Sequence, residues 1–174
     1  MTGQDFERAV EPHLGFMYNV AYRMLGNAQD AEDAAQEALV SAFKNWSRFR
    51  GESKLTTWLY RITVNVCLMR LRKEKNSRYL TVMGDDDREV QDWSEDPERA
   101  AMNSELRGKL EQGLSRLPPD LRAAVVLRDV QGLDNEEAAE ALSTTVSAFK
   151  ARLHRGRVLL RQHLSSYVKE RAKG

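Results

Sequence analysis

Apolar residues recur at three- and four-residue steps along most of this chain, the spacing of one face of an α-helix. Over residues 5–25 the stripe is Phe6, Val10, Leu14, Met17, Ala21 and Met24/Leu25, and Gly26-Asn27 closes it. A second helix is predicted from about Asp30 to Trp46, with Ala31, Ala34/Ala35, Ala38/Leu39, Ala42/Phe43 and Trp46 inward. After the loop 48–54, a third over about Thr56–Lys73 carries Leu55, Trp58/Leu59, Ile62, Val66 and Met69 as its buried stripe. Leu106, Leu110, Leu114 and Leu117 mark a fourth. Pro118-Pro119 ends it and opens the next, because proline suits the first turn of a helix. That next helix packs through Leu121, Ala124/Val125 and Val130 and stops at Gln131-Gly132. Asp134, with Glu137 three residues on, has the spacing of a capping box for a short helix ending near Leu142.

The turn Ser143-Thr144-Thr145 leads into the longest pattern, which runs to Tyr167. Val146, Phe149, Leu153, Leu160, Leu164 and Tyr167 form its apolar stripe. At 100° per residue, Ser147, Ala148, Ala151, Arg152, His154 and Arg155 point the other way, flanked by Lys150, Arg157 and Arg161. A short helix, a tight turn and a second helix with a cationic outer face is the helix-turn-helix layout, whose second helix enters the DNA major groove. A plain helical hairpin with a solvated basic face has the same pattern.

With 174 residues, four prolines and ten glycines, these periods point to an all-α chain of one domain or two small ones. The net charge of +1 hides a segregation. Residues 51–80 hold seven Lys/Arg against two acids, and residues 143–174 hold eight against one. Between them, residues 81–105 hold nine acids against two cations. Two separated basic blocks fit two contacts with one long polyanion, or a clamp on the acidic stretch itself. The acidic segment 84–97 has no apolar period and reads as a flexible linker, with Trp93 a candidate anchor on a partner.

Several function classes drop out. Cys67 is the single cysteine, so no intrachain disulfide or cysteine-based zinc site is expected, and a reducing compartment fits. The polar start MTGQDFERAVEPH is not a secretory signal, and no apolar run approaches a membrane span, so a cytoplasmic location is expected. His13, His154 and His163 have no metal-ligand spacing, and phosphate-loop, nucleophile-elbow and dinucleotide fingerprints are missing. No catalytic residue, metal or cofactor is expected.

Two blocks in order resemble a known family. They are DAEDAAQEALVSAF (30–43) with FRGESKLTTWLYRITVNVCLMRLRK (49–73), and LSRLPPDLRAAVVLRDVQGLDNEEAAEALSTTVSAFKARLHRGRVLLR (114–161). The pattern is similar to that of the extracytoplasmic-function (group IV) RNA polymerase sigma factors. The resemblance implies two small helical domains, 1–80 and 99–174, joined by an acidic linker over 81–98, the second being a helix-turn-helix domain. It implies a non-catalytic promoter-specificity subunit with core RNA polymerase and promoter DNA as partners. Such proteins are often held by an anti-sigma factor, which nothing in the sequence identifies.

By the same resemblance, Asp30, Asp33, Gln36 and Glu37 would dock on the polymerase. Read alone, these residues are those of a well-capped helix start, and it is the resemblance that raises the docking reading above that one. Arg61, Asn65, Arg70 and Arg72 would hold the melted −10 element, Asn65 facing a flipped base. Ser147, Lys150, His154, Arg155 and Arg157 would read the −35 duplex. A stand-alone helix-turn-helix regulator is the alternative, but it has no need of the TWLYRITVN helix. Ser147–Leu153 departs from the family's motif, Ala34, Ala35 and Ala139 are smaller than usual, and Gly156 interrupts the long helix at about 1 kcal/mol relative to Ala if exposed.

Overall fold

A computed structural model describes residues 3–73 and 104–173, and among them every regular element is helical. In the first half, α1 (Gly3–Val10) and α2 (Leu14–Leu25) are separated by a single 3₁₀ turn, Glu11–His13. The one helix predicted for residues 5–25 is therefore two. Pro12 is the reason, since it has no N–H to give to an α-helical ladder. Gly26 caps α2 at φ 83° and donates its N–H to the Tyr22 carbonyl at 2.8 Å, a conformation glycine adopts without a Cβ penalty. Asn27 then starts α3 (Ala28–Lys44), earlier than predicted. Its side-chain oxygen accepts from the Asp30 N–H at 2.8 Å, and its amide donates to the Asp30 carboxylate at 2.7 Å.

Helix α3 packs through Ala31, Ala34, Ala38 and Ala42, all fully buried. Small side chains let it lie close to both α2 and α4 (Leu55–Lys73). Helix α4 departs from the predicted single stripe, because it is buried on two sides. Leu59 is buried in a first cluster with Phe6, Val10 and Met17, and Leu55, Trp58, Ile62 and Val66 pack partly buried against it. Tyr60, Val64, Cys67, Leu68 and Leu71 enter a second cluster. Met69, predicted to be inside, is 60 % exposed.

The second half comprises α5 (Ser104–Arg116), α6 (Pro119–Val125), α7 (Asn135–Ala141) and α8 (Val146–Lys173). Pro119 opens α6 as expected. Residues Val126–Val130 continue α6 as a wider π-turn, closed by the Gln131 N–H on the Val126 carbonyl at 2.9 Å. Asp134 caps α7 through a 2.7 Å bond from the Glu137 N–H. Ser143 makes the turn at φ 54°, and Thr145 Oγ1 caps α8 by accepting from Ala148 N–H at 3.1 Å. Phe149, Leu153 and Leu160 are buried as predicted, whereas Val146 and Val130 are exposed.

Gly156 lies inside that stripe, not on the surface. A Cβ there would stand 2.6 Å from Val125 Cγ2 and 3.2 Å from the Leu121 carbonyl oxygen, so glycine is what lets α8 cross α6 this closely. The second cluster of α4 runs without a break into the second half through Leu114, Leu117, Val125, Leu127 and Leu133. The two halves thus share one apolar core. The acidic segment 84–97 and Trp93 lie outside the described residues.

Candidate nucleic-acid and polymerase interface

The sequence-selected residues fall on three surfaces. On α3, Asp33, Gln36 and Glu37 are exposed, while Asp30 is half-buried in the cap with Asn27. Asp33 accepts a 3.1 Å bond from Gln29, and Glu37 takes two bonds from Arg70 across the α3–α4 groove, at 3.0 and 3.3 Å. The same face continues through Val40 and Phe43, 54 % and 55 % exposed. Phe43 was predicted to be inside; it meets Phe6 edge-on at 5.3 Å and leaves more than half of its surface in water. Acidic groups followed one turn on by apolar ones make a mixed face suited to a protein partner.

On α4, Arg61, Asn65, Met69 and Arg72 are all exposed and follow one another at steps of four, four and three. They form one outward line along the helix. Arg70 is one position off it and is tied to Glu37. Met69 is the residue that sequence reasoning missed. Its spacing matched the apolar stripe, and only its position between exposed cations and an amide separates it from a core methionine. Trp58 belongs instead to a ring cluster, 5.0 Å from Phe49 and 6.1 Å from Trp46 by centroids. Tyr60 stacks on Phe16 at 4.2 Å and donates its hydroxyl to Gln131 of the second half at 3.2 Å. Burial first, and then the Glu137 carboxylate, push the Tyr60 hydroxyl pKa up, so it stays a proton donor.

On α8, Ser147, Lys150, His154 and Arg155 are exposed along its first three turns. Arg157 is turned away from them. Its guanidinium forms a two-pronged pair with Asp129 of the π-turn, at 2.6 and 2.9 Å. The Asp129 side chain is 3 % exposed and that of Arg157 14 %, so this pair is a structural clasp between the π-turn and α8.

Cys67 is buried in the shared core, and burial pushes its thiol up to about 12. It holds almost no thiolate at neutral pH and acts as a small hydrophobe. Among the described residues, no helix is long and apolar enough to cross a membrane.

The two halves correspond to two known families. Residues 9–77 match Sigma-70 region 2, and residues 107–160 match Sigma-70, region 4. The chain is 36% identical over 165 residues to the ECF RNA polymerase sigma factor SigW of Bacillus subtilis, covering 91% of this chain and 88% of that one. It is 35% identical over 168 residues to the ECF RNA polymerase sigma factor SigE of Mycolicibacterium smegmatis, covering 97% of this chain but 65% of SigE, just under two thirds of its length. Among solved structures, the fold is that of the sigma factor RpoE in complex with the anti-sigma factor NepR from Bartonella quintana. The TM-score is 0.69 at 23% identity, over 93% of this chain and 98% of that one. CnrH, in complex with the cytosolic domain of CnrY, gives 0.67 at 22%, over 95% and 90%. Two sigma regions in the right order, and relatives aligned along nearly the whole chain, place it in one family: this chain belongs to the ECF RNA polymerase sigma factors.

Proposed function

We infer that this chain is a promoter-specificity subunit: it binds core RNA polymerase, directs it to promoters and starts transcription, with no chemistry of its own. The observation that carries this is the pairing of an exposed cation–amide–cation line on α4 with an exposed polar and cationic face on α8, within the two sigma regions. In this reading residues 1–80 dock on polymerase and hold the −10 element, 99–174 read the −35 element, and 81–98 link them.

Asp33, Gln36 and Glu37 contact the polymerase, with Val40 and Phe43 supplying the apolar part of that surface. Asp30 orients the start of α3. Arg61 and Arg72 hold phosphates of the opened strand, and Arg70 holds both Glu37 and the backbone. Asn65 recognises an unstacked base, since its amide offers a donor and an acceptor side by side. Met69, beside it, gives that base an apolar surface to lie against. Ser147, Lys150 and His154 reach base edges in the duplex, and Arg155 adds phosphate contact. Arg157 acts by fixing α8 to the π-turn. The protein works in the cytoplasm, where polymerase and DNA are, and an anti-sigma factor is a partner of the kind its structural neighbours hold.

Run-off transcription from a promoter library, with core polymerase and with or without this chain, tests the reading. Promoter-specific RNA that requires the chain is expected. Asn65→Ala is expected to cut it by about tenfold or more, the worth of one two-point base contact. Duplex binding without polymerase binding or transcription would sink the assignment.

A further inference from the structure

The outer face of α8 has one residue with nothing polar to offer, and it stands at the centre. Ser147, Lys150, Ala151, His154 and Arg155 are all exposed, opposite the buried Phe149, Leu153 and Gly156. Ala151 follows Ser147 by four residues and precedes His154 and Arg155 by three and four, so it lies one turn from each along the same outward line. Val146 is also exposed, at 37 %, but it stands seven residues before Leu153, at the margin of the buried flank.

A methyl in that place is selective by what it lacks. Ser147, Lys150, His154 and Arg155 each carry a polar group that can turn toward a partner. Ala151 has one fixed methyl, close to the backbone, and no rotamer to choose. The short side chain lets the helix come near, so whatever base pair it meets is met at close range and loses its water there. Over a cytosine amino group, or the edge of a guanine or an adenine, that water is lost and no hydrogen bond replaces it. Thymine alone presents a C5-methyl group in the major groove, and an alanine methyl set against it buries apolar surface on both sides.

We propose that Ala151 is a specificity-determining residue for the duplex read by α8, packing on the C5-methyl of one thymine and excluding the other three bases at that position. This rests on the assignment of α8 to the −35 duplex and deepens it. Ser147, Lys150 and His154 read the polar edges around that thymine, and Arg155 holds the phosphate frame that sets the distance. Because Ser147–Leu153 departs from the family's motif, the thymine is a preference of this chain's own promoters.

Deoxyuridine tests this, because its base differs from thymine only by the missing methyl. Promoters selected from the library by holoenzyme, the full chain with core polymerase, should hold a fixed thymine in the −35 element; an element with no fixed thymine overturns the proposal. Each fixed thymine is then replaced in turn by deoxyuridine, and −35 occupancy is titrated by footprinting. One replacement should weaken occupancy about fourfold, the worth of one buried methyl group. With Ala151→Gly the same replacement should have no effect, while replacements elsewhere act as before. Each comparison is a ratio within one variant, so a general loss of affinity or helix stability in Ala151→Gly cancels. Ala151→Ser is the second variant. Its hydroxyl can bond a polar base edge, and selection with it should no longer fix thymine at that position. Deoxyuridine effects that are the same in wild type and Ala151→Gly overturn the proposal, as does a wild type indifferent to every replacement. If wild-type holoenzyme selects no promoter and protects no −35 duplex, the assignment of α8 falls and takes the proposal with it, which separates the two failures.

Discussion

Helices α4 and α8 both hold a row of polar side chains outward, and they are fixed in opposite ways. Helix α4 is enclosed by apolar groups on two sides, one cluster belonging to the first half and one reaching into the second. Before its last residue, the exposed positions of α4 form a single line, Arg61, Asn65, Met69 and Arg72. Helix α8 is gripped in its middle, where Gly156 meets α6 and Arg157 meets Asp129, and its first turns, on the Thr145 cap, bury Phe149 and Leu153 while holding Ser147, Lys150, His154 and Arg155 exposed. A narrow line with one fixed orientation suits a strand whose bases must be placed one at a time. A helix start with several exposed polar positions suits entry into a groove already shaped by the duplex. Both arrangements bury apolar area, but the second adds two specific contacts, at Gly156 and Arg157, so single substitutions should damage them unequally.

The largest effect is expected where α8 is gripped. Asp129→Ala leaves the Arg157 guanidinium without its carboxylate in a site that is 14 % exposed, and should cost about 3 kcal/mol of stability in denaturant unfolding. A loss below about 1 kcal/mol would mean the grip lies elsewhere. Gly156→Ala comes next. Helix propensity alone predicts a gain, yet the added methyl would meet Val125 and the Leu121 backbone, so a loss of about 1–3 kcal/mol is expected. A gain in the same unfolding measurement would show that the crossing is looser than drawn.

On the α4 side, the comparison sharpens through template state. The Asn65→Ala defect should be smaller on a template with a pre-opened −10 region than on the duplex only if the residue acts in opening. Equal defects on both would make it a reader of the exposed base. His154→Ala should respond to neither change and should lose only −35 dependence, measured by footprinting.

A smaller effect is tied to pH. The His163 ring packs against Gly113, with its Nε2 buried and without a hydrogen-bond partner. Burial first, then the nearby charges of Arg116 and Lys109, hold its pKa below the usual 6.5. The unfolded chain therefore takes up the proton first as pH falls, so this group removes stability on acidification through the histidine range. His163→Gln should flatten the fall in stability between pH 7 and about pH 5; an unchanged slope would assign it to the carboxylates. Smallest is Ser143→Gly, which relieves the positive φ of the turn and should stabilise by about 0.5–1 kcal/mol, read as a rise in Tm.

The elements legible in the sequence were those with local causes. Gly26, the Asp134–Glu137 spacing, Pro119 and the Phe149–Leu153–Leu160 stripe each declare themselves within a few residues. What stayed hidden depended on distant partners. Met69 is outside because α4 already has two buried faces, which no single period could reveal. Gly156 is inside because Val125 and Leu121 lie across from it. Arg157 turns to Asp129, 28 residues away, and nothing in a cationic helix face distinguishes it from its neighbours. The assignment of residues to DNA and polymerase came from the resemblance. The geometry adds which of them stand together in the open.

The shared core, where Arg122 of α6 also donates to the Met24 carbonyl at the end of α2, has a consequence for the order of synthesis. The partners of that bond are 98 residues apart, so at translation rates of about 5–20 residues per second Met24 is made about 5–20 s before Arg122. From the synthesis of Leu68 until that of Arg122, 54 residues later and so about 3–11 s, the nascent first half has no second half to cover Val64, Cys67 and Leu68. Each molecule therefore passes through a period on the ribosome when its apolar seam is open to chaperones, or to any protein that competes for it, before its own C-terminal half exists to close it.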